Sequence, residues 1–361
     1  MSADHRRATR KDDHVRLAEE QQNEAPPRTD FDDLEFVHHA LAGISADRVD
    51  VSVDVGRWRW PTPFYVNGMT GGTEKTARIN TELAIAARET GLPIACGSIS
   101  VALDDPSTAG GFTVLRKENP DGFVMANLGA GRSAEDAVRA VDLLQADALQ
   151  LHLNAVQETA MPEGSRDFSA WARSVEEIVA ASPVPVIVKE VGFGLSRSTL
   201  SLLGDLGVRV ADVSGKGGTD FLRIENARRS GEGVVDYSVL TGFGQSALAC
   251  LLDAPPDGPV LLASGGVRNP YDVVKALAAG AHAVGVAGVF LKAVLAGGAE
   301  ALVPLVRGWL EQTTALLALL GAASPAELTR TDLLVRGSLG EFCRLRGIDL
   351  IRLSHRSELH S

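Results

Sequence analysis

Gln150, His152 and Asn154 are the residues of this sequence best spaced to act together. They lie in ADALQLHLN (146–154), and successive side chains of a β-strand point to opposite faces. Leu149, Leu151 and Leu153 therefore share one face, suited to packing on helices, and the amide–imidazole–amide row shares the other. A buried polar row must be hydrogen-bonded or it costs several kcal/mol. Either a ligand or a structural hydrogen-bond network would satisfy it. Lys189 closes the apolar run VPVIVK. A lysine drawn into a desolvated interior needs an anionic partner, and Glu190 next door faces the other way on an ideal strand. An anionic ligand or an ion pair elsewhere would meet that need.

Three glycine-rich stretches, VSGKGGTD (213–220), ASGGVRNP (263–270) and VAGVF (286–290), each follow an apolar run. Glycine lets a backbone approach a phosphate closely, and N–H groups at a helix start favour an anion. Tight turns are the competing explanation, easier for one loop than for three. RKDDHVRLA (10–18) puts Arg10, Lys11 and His14 within one helical turn, with Arg10 and His14 as i,i+4 neighbours. Such a cluster is either a solvated helix face or a clamp for a diphosphate.

Something must position these groups. Eight short apolar runs, at 63–72, 92–98, 122–130, 146–154, 184–190, 208–215, 259–266 and 282–288, alternate with segments of helical length. Helices are expected over Glu74–Thr90, Pro106–Glu118 and around Phe168–Ala181, with Ser133 as an N-cap. Strand–helix alternation implies a parallel sheet, and eight units imply a closed (β/α)₈ TIM barrel. A doubly wound fold is weakened because no GxGxxG or Walker A motif occurs. Functional groups of such barrels gather at the carboxyl ends of the strands, where Met69, Thr70, Ser98, Asn127, Asn154, Lys189, Ser214, Gly265, Gly266, Ala287 and Gly288 all fall. Residues 1–50 are expected to form an N-terminal arm or cap, 51–353 the barrel with a C-terminal helical extension, and 354–361 a frayed tail.

Composition narrows the partners. The 361 residues carry a net charge of −11, which argues against bulk nucleic-acid or anionic-membrane binding. Three scattered cysteines suit a reducing cytoplasm and no disulfide framework. No CxxC or HxxxH metal spacing appears. The N-terminus has no apolar core of a signal peptide, and no run approaches the roughly 18 apolar residues of a membrane span.

Taken together, these residues resemble the type 2 isopentenyl-diphosphate isomerases. The resemblance spans almost the whole chain, through RKDDH, NGMTGGTEKT, CGS, ANLGA, LQLHLNAVQE, VPVIVKEVGFGLS, DVSGKGGTDF, SGGVRNPYDVVKALAAGA and VAGVFLK. The combination of RKxxH, MTGG, HLNxxQE and SGxGGT is highly specific. It implies a cytoplasmic homotetramer or homo-octamer of isoprenoid biosynthesis that binds FMN and Mg²⁺ and uses NADPH to reduce the flavin. Its substrates would be isopentenyl and dimethylallyl diphosphate. Gly68, Met69, Thr70, Ser98 and Asn127 would meet the flavin ring, with Lys189 at its N1/O2 edge. Ser214, Thr219, Gly265, Gly266, Ala287 and Gly288 would hold the ribityl-phosphate. Arg10, Lys11, His14, Ser98, Ser100, His152 and Asn154 would surround the substrate diphosphate. Gln157 would face the reacting alkene, with Lys189 and His152 as further catalytic groups, and Glu158 would bind Mg²⁺. Two departures stand out. Ile99-Ser100 replaces a Gln-Arg found in many members, removing a cation, and Gly242-Phe243-Gly244-Gln245-Ser246 replaces an aromatic followed by Gly-Ile-Pro-Thr.

Two rival functions use a similar barrel. A 2-hydroxy-acid oxidase would need a His/Arg pair for its substrate carboxylate, and no such pairing is visible around His152. A flavoprotein without turnover would have no evident use for Gln157 and Glu158.

Overall fold

Eight parallel strands pair all the way round in the computed structural model, which describes residues 3–25, 28–229 and 235–360. They are β1 (Phe64–Val66), β2 (Ile94–Ala95), β3 (Val124–Gly129), β4 (Ala148–His152), β5 (Val186–Lys189), β6 (Val210–Asp212), β7 (Val260–Ser264) and β8 (Ala283–Val286). β8 closes on β1 through Val284 and Phe64, so the barrel leaves no unpaired edge. The expected (β/α)₈ fold is the one the chain adopts.

Strand alternation sorts the side chains. Leu149, Leu151, Val186, Val188, Ala211 and Val284 point outward into the core shared with the helices. Met125, Ala148, Ile187, Val210, Leu262 and Ala283 point inward, where they pack with Val53, Val55 and Trp60. Those last three belong to an antiparallel hairpin, Val53–Val55 with Trp58–Trp60, that plugs the amino end of the barrel. The register continues the inward row at the carboxyl end: Gly129 pairs with His152, His152 with Lys189, and Lys189 with Asp212. One end of the barrel is thus apolar and sealed, and the other carries a polar belt.

Helix Glu74–Thr90 has the expected bounds, set by the Thr73 side chain accepting from the Thr76 N–H and by Gly91 at φ 73°. Ser133 caps the helix Ala134–Leu144. Elsewhere the segments differ from expectation. Residues 106–118 divide into a 3₁₀ turn, Pro106–Thr108, and a helix, Gly110–Glu118. The stretch after β4 is not a plain loop, because Ala155–Ala160 forms a short helix before Trp171–Ala181 begins.

The helix Ala3–Asn23 lies over the carboxyl mouth. Gln21 clasps the backbone of Asp220 in both directions, donating to its carbonyl at 3.1 Å and accepting its N–H at 2.8 Å. Leu34–Phe36, further along the same segment, pairs antiparallel with Leu333–Val335 of the C-terminal extension. Gly288–Leu319, with a mean hydropathy of 1.8 over its most apolar stretch, is long and apolar enough to span a bilayer. Lys292, Glu300, Arg307 and Glu311 interrupt it, so it holds no unbroken apolar run of membrane-spanning length. Gly297 and Gly298 also break it, and Phe290, Leu302, Val306 and Trp309 are buried in the barrel's outer core. The tail is held rather than frayed as far as Ser357, whose N–H donates to Asp332 Oδ1 at 2.8 Å.

Candidate active site

A cleft of about 1300 Å³ opens at the carboxyl mouth. That exceeds the roughly 300–1,000 Å³ of ordinary small-molecule pockets, leaving room for a large cofactor beside a second ligand. The wall contains Arg10, Lys11, His14, Gly68, Met69, Thr70, Ser98, Ser100, Asn127, His152, Asn154, Gln157, Glu158, Lys189, Ser214, Thr219, Gly265, Gly266, Ala287 and Gly288. Every residue that the resemblance assigned to flavin, substrate, metal or catalysis is therefore brought to one cavity, including three from a helix outside the barrel.

Gln150 settles which explanation of the polar row applies to it. It is wholly buried and spends both ends of its amide on protein. Its Oε1 accepts from Asn127 Nδ2 at 3.1 Å, and its Nε2 donates to Asn67 Oδ1 at 3.4 Å. His152 joins the same network through Nδ1, 2.9 Å from Asn127 Oδ1, but its ring reaches the cleft. Burial, aided by the nearby charges of Lys189 and Lys11, pushes the imidazole down to about 3, so it is neutral at physiological pH.

Lys189, 5% exposed, donates to the backbone carbonyl of Glu190 at 2.5 Å. Burial lowers its pKa, opposed by the carboxylates of Asp212 and Glu190. The Glu190 side chain indeed turns away, accepting the N–H groups of Val191, Gly192 and Phe193 at 2.6, 2.8 and 2.5 Å. Burial outweighs those bonds and raises its carboxyl to about 7. Glu190 thereby shapes the turn that carries Lys189 into the cleft.

Glu225, on the helix Phe221–Arg228, ties the arm to the barrel. Its Oε1 accepts from Gln157 Nε2 at 2.9 Å and stands 3.0 Å from His14 Nε2. Its Oε2 pairs with Arg228. Burial would raise this carboxyl, yet contacts with His14, Gln157 and Arg228 overcome it and bring it down to about 2. Arg10 meets Glu163 at 3.3 Å. Lys11 has no hydrogen bond or ion-pair contact among the described residues, and burial, helped by Arg10, lowers it to about 8. A half-buried ammonium with no partner among the described residues, beside an arginine, is suited to receive an anion.

Asn154 links the two residues of the short helix that follows β4. Its Nδ2 donates to Gln157 Oε1 at 3.3 Å and to Glu158 Oε1 at 3.1 Å. Ser165 N–H holds the other Glu158 oxygen at 2.8 Å. Among the described residues no three acidic, histidine or cysteine side chains cluster to hold a metal. A metal held at Glu158 would therefore have to take its remaining ligands from outside the protein. Ser98 and Ser100, where the lost cation would have stood, pair through their hydroxyls at 3.2 Å.

The opposite wall is built from backbone. A Cβ on Gly218 would lie 2.7 Å from the Gly266 nitrogen, and one on Gly288 would overlap the Gln22 amide at the end of the arm helix. Thr70 Oγ1 is buried and has no hydrogen-bond partner among the described residues.

Glu225, Asp212 and Asn67 did not stand out from the sequence. An acid three residues before Arg228 on a helix was a visible signal for Glu225. Asp212, inside the strand run VRVADV, was a buried charge needing explanation just as Lys189 was.

Residues 133–335 match the model of the FMN-dependent dehydrogenase family. The solved structure of mandelate oxidase with benzoyl-formic acid superposes with a TM-score of 0.63 at 20% identity, over 92% of this chain and 97% of that one. At that identity it shows the fold alone. Two curated relatives are far nearer in sequence. The isopentenyl-diphosphate delta-isomerase of Kitasatospora griseola is 58% identical, covering 97% of this chain and 95% of its own. That of Staphylococcus haemolyticus (strain JCSC1435) is 44% identical, covering 97% and 99%. With such identity sustained from the arm to the C-terminal extension, and with an FMN-dependent barrel beneath it, the chain belongs to the type 2 isopentenyl-diphosphate delta-isomerases.

Proposed function

We propose that this chain interconverts isopentenyl and dimethylallyl diphosphate, with reduced FMN at the barrel mouth and Mg²⁺ on the diphosphate. The observation that carries the reading is the joining of Lys11, a half-buried cation on the arm with no partner among the described residues, to the same cleft as Lys189 and the glycine-lined wall. The donor set suits a flavin: Thr70 Oγ1 lacks a partner among the described residues, and the backbones at Gly218 and Gly266 approach too closely for side chains.

The reaction adds a proton at the terminal alkene carbon and removes one from C2. Reduced FMN, when bound, supplies the acid–base chemistry and the electron-rich surface this needs. Gly68, Met69, Thr70, Ser98 and Asn127 would hold its ring, Lys189 would balance charge at its edge, and Ser214, Thr219, Gly265, Gly266, Ala287 and Gly288 would hold its phosphate. Arg10, Lys11, His14, Ser98, Ser100, His152 and Asn154 would bind the substrate diphosphate. Gln157, fixed between Asn154 and Glu225, would position the alkene. Glu158 would bind Mg²⁺, which prefers a carboxylate together with phosphate oxygens and water. Residues 1–50 would cap the site and exclude water. NADPH would serve only to reduce the flavin, because the reaction has no net redox change, and the chain would assemble as a homotetramer or homo-octamer.

Product analysis tests this directly. Purified protein with FMN, Mg²⁺ and NADPH under anaerobic conditions should form dimethylallyl diphosphate, and the mixture without NADPH, its flavin left oxidised, should not. Flavin reduction by a 2-hydroxy acid, with no isomerisation, would instead support the oxidase alternative.

A further inference from the structure

Asp212 receives donors only. Tyr65 O–H donates to it at 2.8 Å, Asn67 Nδ2 at 3.1 Å, Ser264 O–H at 2.9 Å, and the Ser214 N–H at 3.0 Å. An acceptor-only carboxylate with a full set of donors fixes which end of each neighbour faces it. Asn67 must present Nδ2, which leaves Oδ1 to accept the Gly68 N–H at 2.9 Å. Gln150 can then reach Asn67 only as a donor, so its Oε1 must accept from Asn127 Nδ2, and Asn127 Oδ1 must accept in turn. The group it accepts from is His152 Nδ1. Each amide has one donating and one accepting end, so the order set at Asp212 passes unchanged from link to link. The chain ends on a ring whose Nδ1 carries the hydrogen and whose Nε2 carries a lone pair.

We propose that Asp212 is a positioning residue, which through Asn67, Gln150 and Asn127 holds His152 as the Nδ1–H tautomer and presents a bare Nε2 to the substrate end of the cleft. Nε2 lies against Gly129, where even a methyl group would stand at 3.1 Å, so glycine keeps that nitrogen approachable. His152 is neutral in this setting, which makes the tautomer its one protonation choice. A bare Nε2 accepts a hydrogen from a ligand group that carries one, such as a metal-bound water or a protonated phosphate oxygen. A fully ionised phosphate oxygen would first require Nε2 to take up a proton.

The placement of substrate beside His152 rests on the function proposed above, but the tautomer does not. Magic-angle-spinning ¹⁵N spectra of [¹⁵N]histidine-labelled, FMN-loaded protein at pH 7 read it without turnover. His152 is assigned among the 8 histidines by the signal lost in His152→Gln. The expected wild-type result is a protonated Nδ1 and an unprotonated Nε2. Asp212→Asn, which sets an amide donor against donors, and Gln150→Leu, which removes the middle link and leaves Asp212 in place, should each populate Nε2–H. Both should also raise KM for isopentenyl diphosphate at least fivefold, with a smaller change in kcat. A wild-type Nε2–H tautomer, or either variant folded with the wild-type pattern intact, overturns the proposal. Should Asp212→Asn not fold, Gln150→Leu decides the matter alone. An inactive wild type with the Nδ1–H signal would overturn the proposed function and leave this inference standing.

Discussion

His14, on the arm helix, and Gln157, on the short helix after β4, meet the same oxygen of Glu225, at 3.0 and 2.9 Å. The position of the arm and the position of a residue proposed to face the alkene are therefore set by one carboxylate. Displacing the arm would take His14 from a wholly buried carboxylate and leave it with fewer hydrogen-bond partners, so the placing of the arm and of Gln157 is coupled through Glu225.

Glu225→Gln is expected to lower stability at neutral pH by about 3–5 kcal/mol, the usual cost of removing one member of a buried ion pair. The pH dependence has a definite sign. The carboxyl sits near 2 in the folded protein, below its ordinary 4.5, so its contribution is fully present above about pH 4.5 and is lost as pH falls toward 2. Denaturant titrations of both proteins at pH 7 and pH 3 should show the gap narrowing in acid. An equal gap at both pH values would mean that the Glu225 charge is not what holds the arm.

Lys11→Ala should raise KM for the diphosphate substrate more than Arg10→Ala. Charge-assisted contacts are worth about 1.5–3 kcal/mol, or roughly tenfold to a hundredfold. Arg10 already has Glu163 as a partner, and part of what it gives the ligand is offset by giving up that contact. Lys11 has no such alternative. Steady-state kinetics with reduced flavin would reveal the order, and an unchanged KM in both variants would make the cluster a solvated helix face.

Glu158→Gln should weaken the response to Mg²⁺ and lower turnover while FMN binding stays near the wild-type value. The side chain is held by Asn154 Nδ2 and the Ser165 N–H, contacts a glutamine oxygen can partly keep, so the fold should survive. A magnesium titration that matches the wild type would remove Glu158 from the metal.

The alternation of ALQLHLN placed Leu149 and Leu151 outward and Gln150 and His152 inward, as found, because side-chain parity is a local property of a strand. What Gln150 does was not local. Its partners are Asn67, just past the end of β1, and Asn127 in β3, and nothing near residue 150 distinguishes a structural amide from a ligand-binding one. Glu225 was hidden for the same reason: its i,i+3 pairing with Arg228 was readable, but its role depends on His14 arriving from the other end of the chain. The helix Ala155–Ala160 escaped because six residues give too little periodicity to separate a helix from a loop.

Gly265→Ala should lose flavin while the barrel persists. Gly265 adopts φ 96°, a region that a side chain occupies only at a cost of about 1–3 kcal/mol. Its Cβ would also fall 1.9 Å from the Gly215 carbonyl oxygen, so backbone must move before the alanine fits. The loops after β6 and β7 touch at this point, and between them they carry Ser214, Thr219, Gly265 and Gly266, most of the proposed phosphate shell. Separating the loops spoils that shell, yet the β6–β7 ladder, which pairs Leu262 with Asp212, lies below it. Gly242→Ala supplies the control. That residue shares the strained conformation, at φ 80°, but has nothing within 4 Å of where its Cβ would be. Both variants should unfold at a somewhat lower temperature, and only Gly265→Ala should weaken FMN binding, by tenfold or more, in a fluorescence titration. Equal flavin affinity in the two variants would show that strain alone acts at Gly265 and would place the phosphate elsewhere in the cleft.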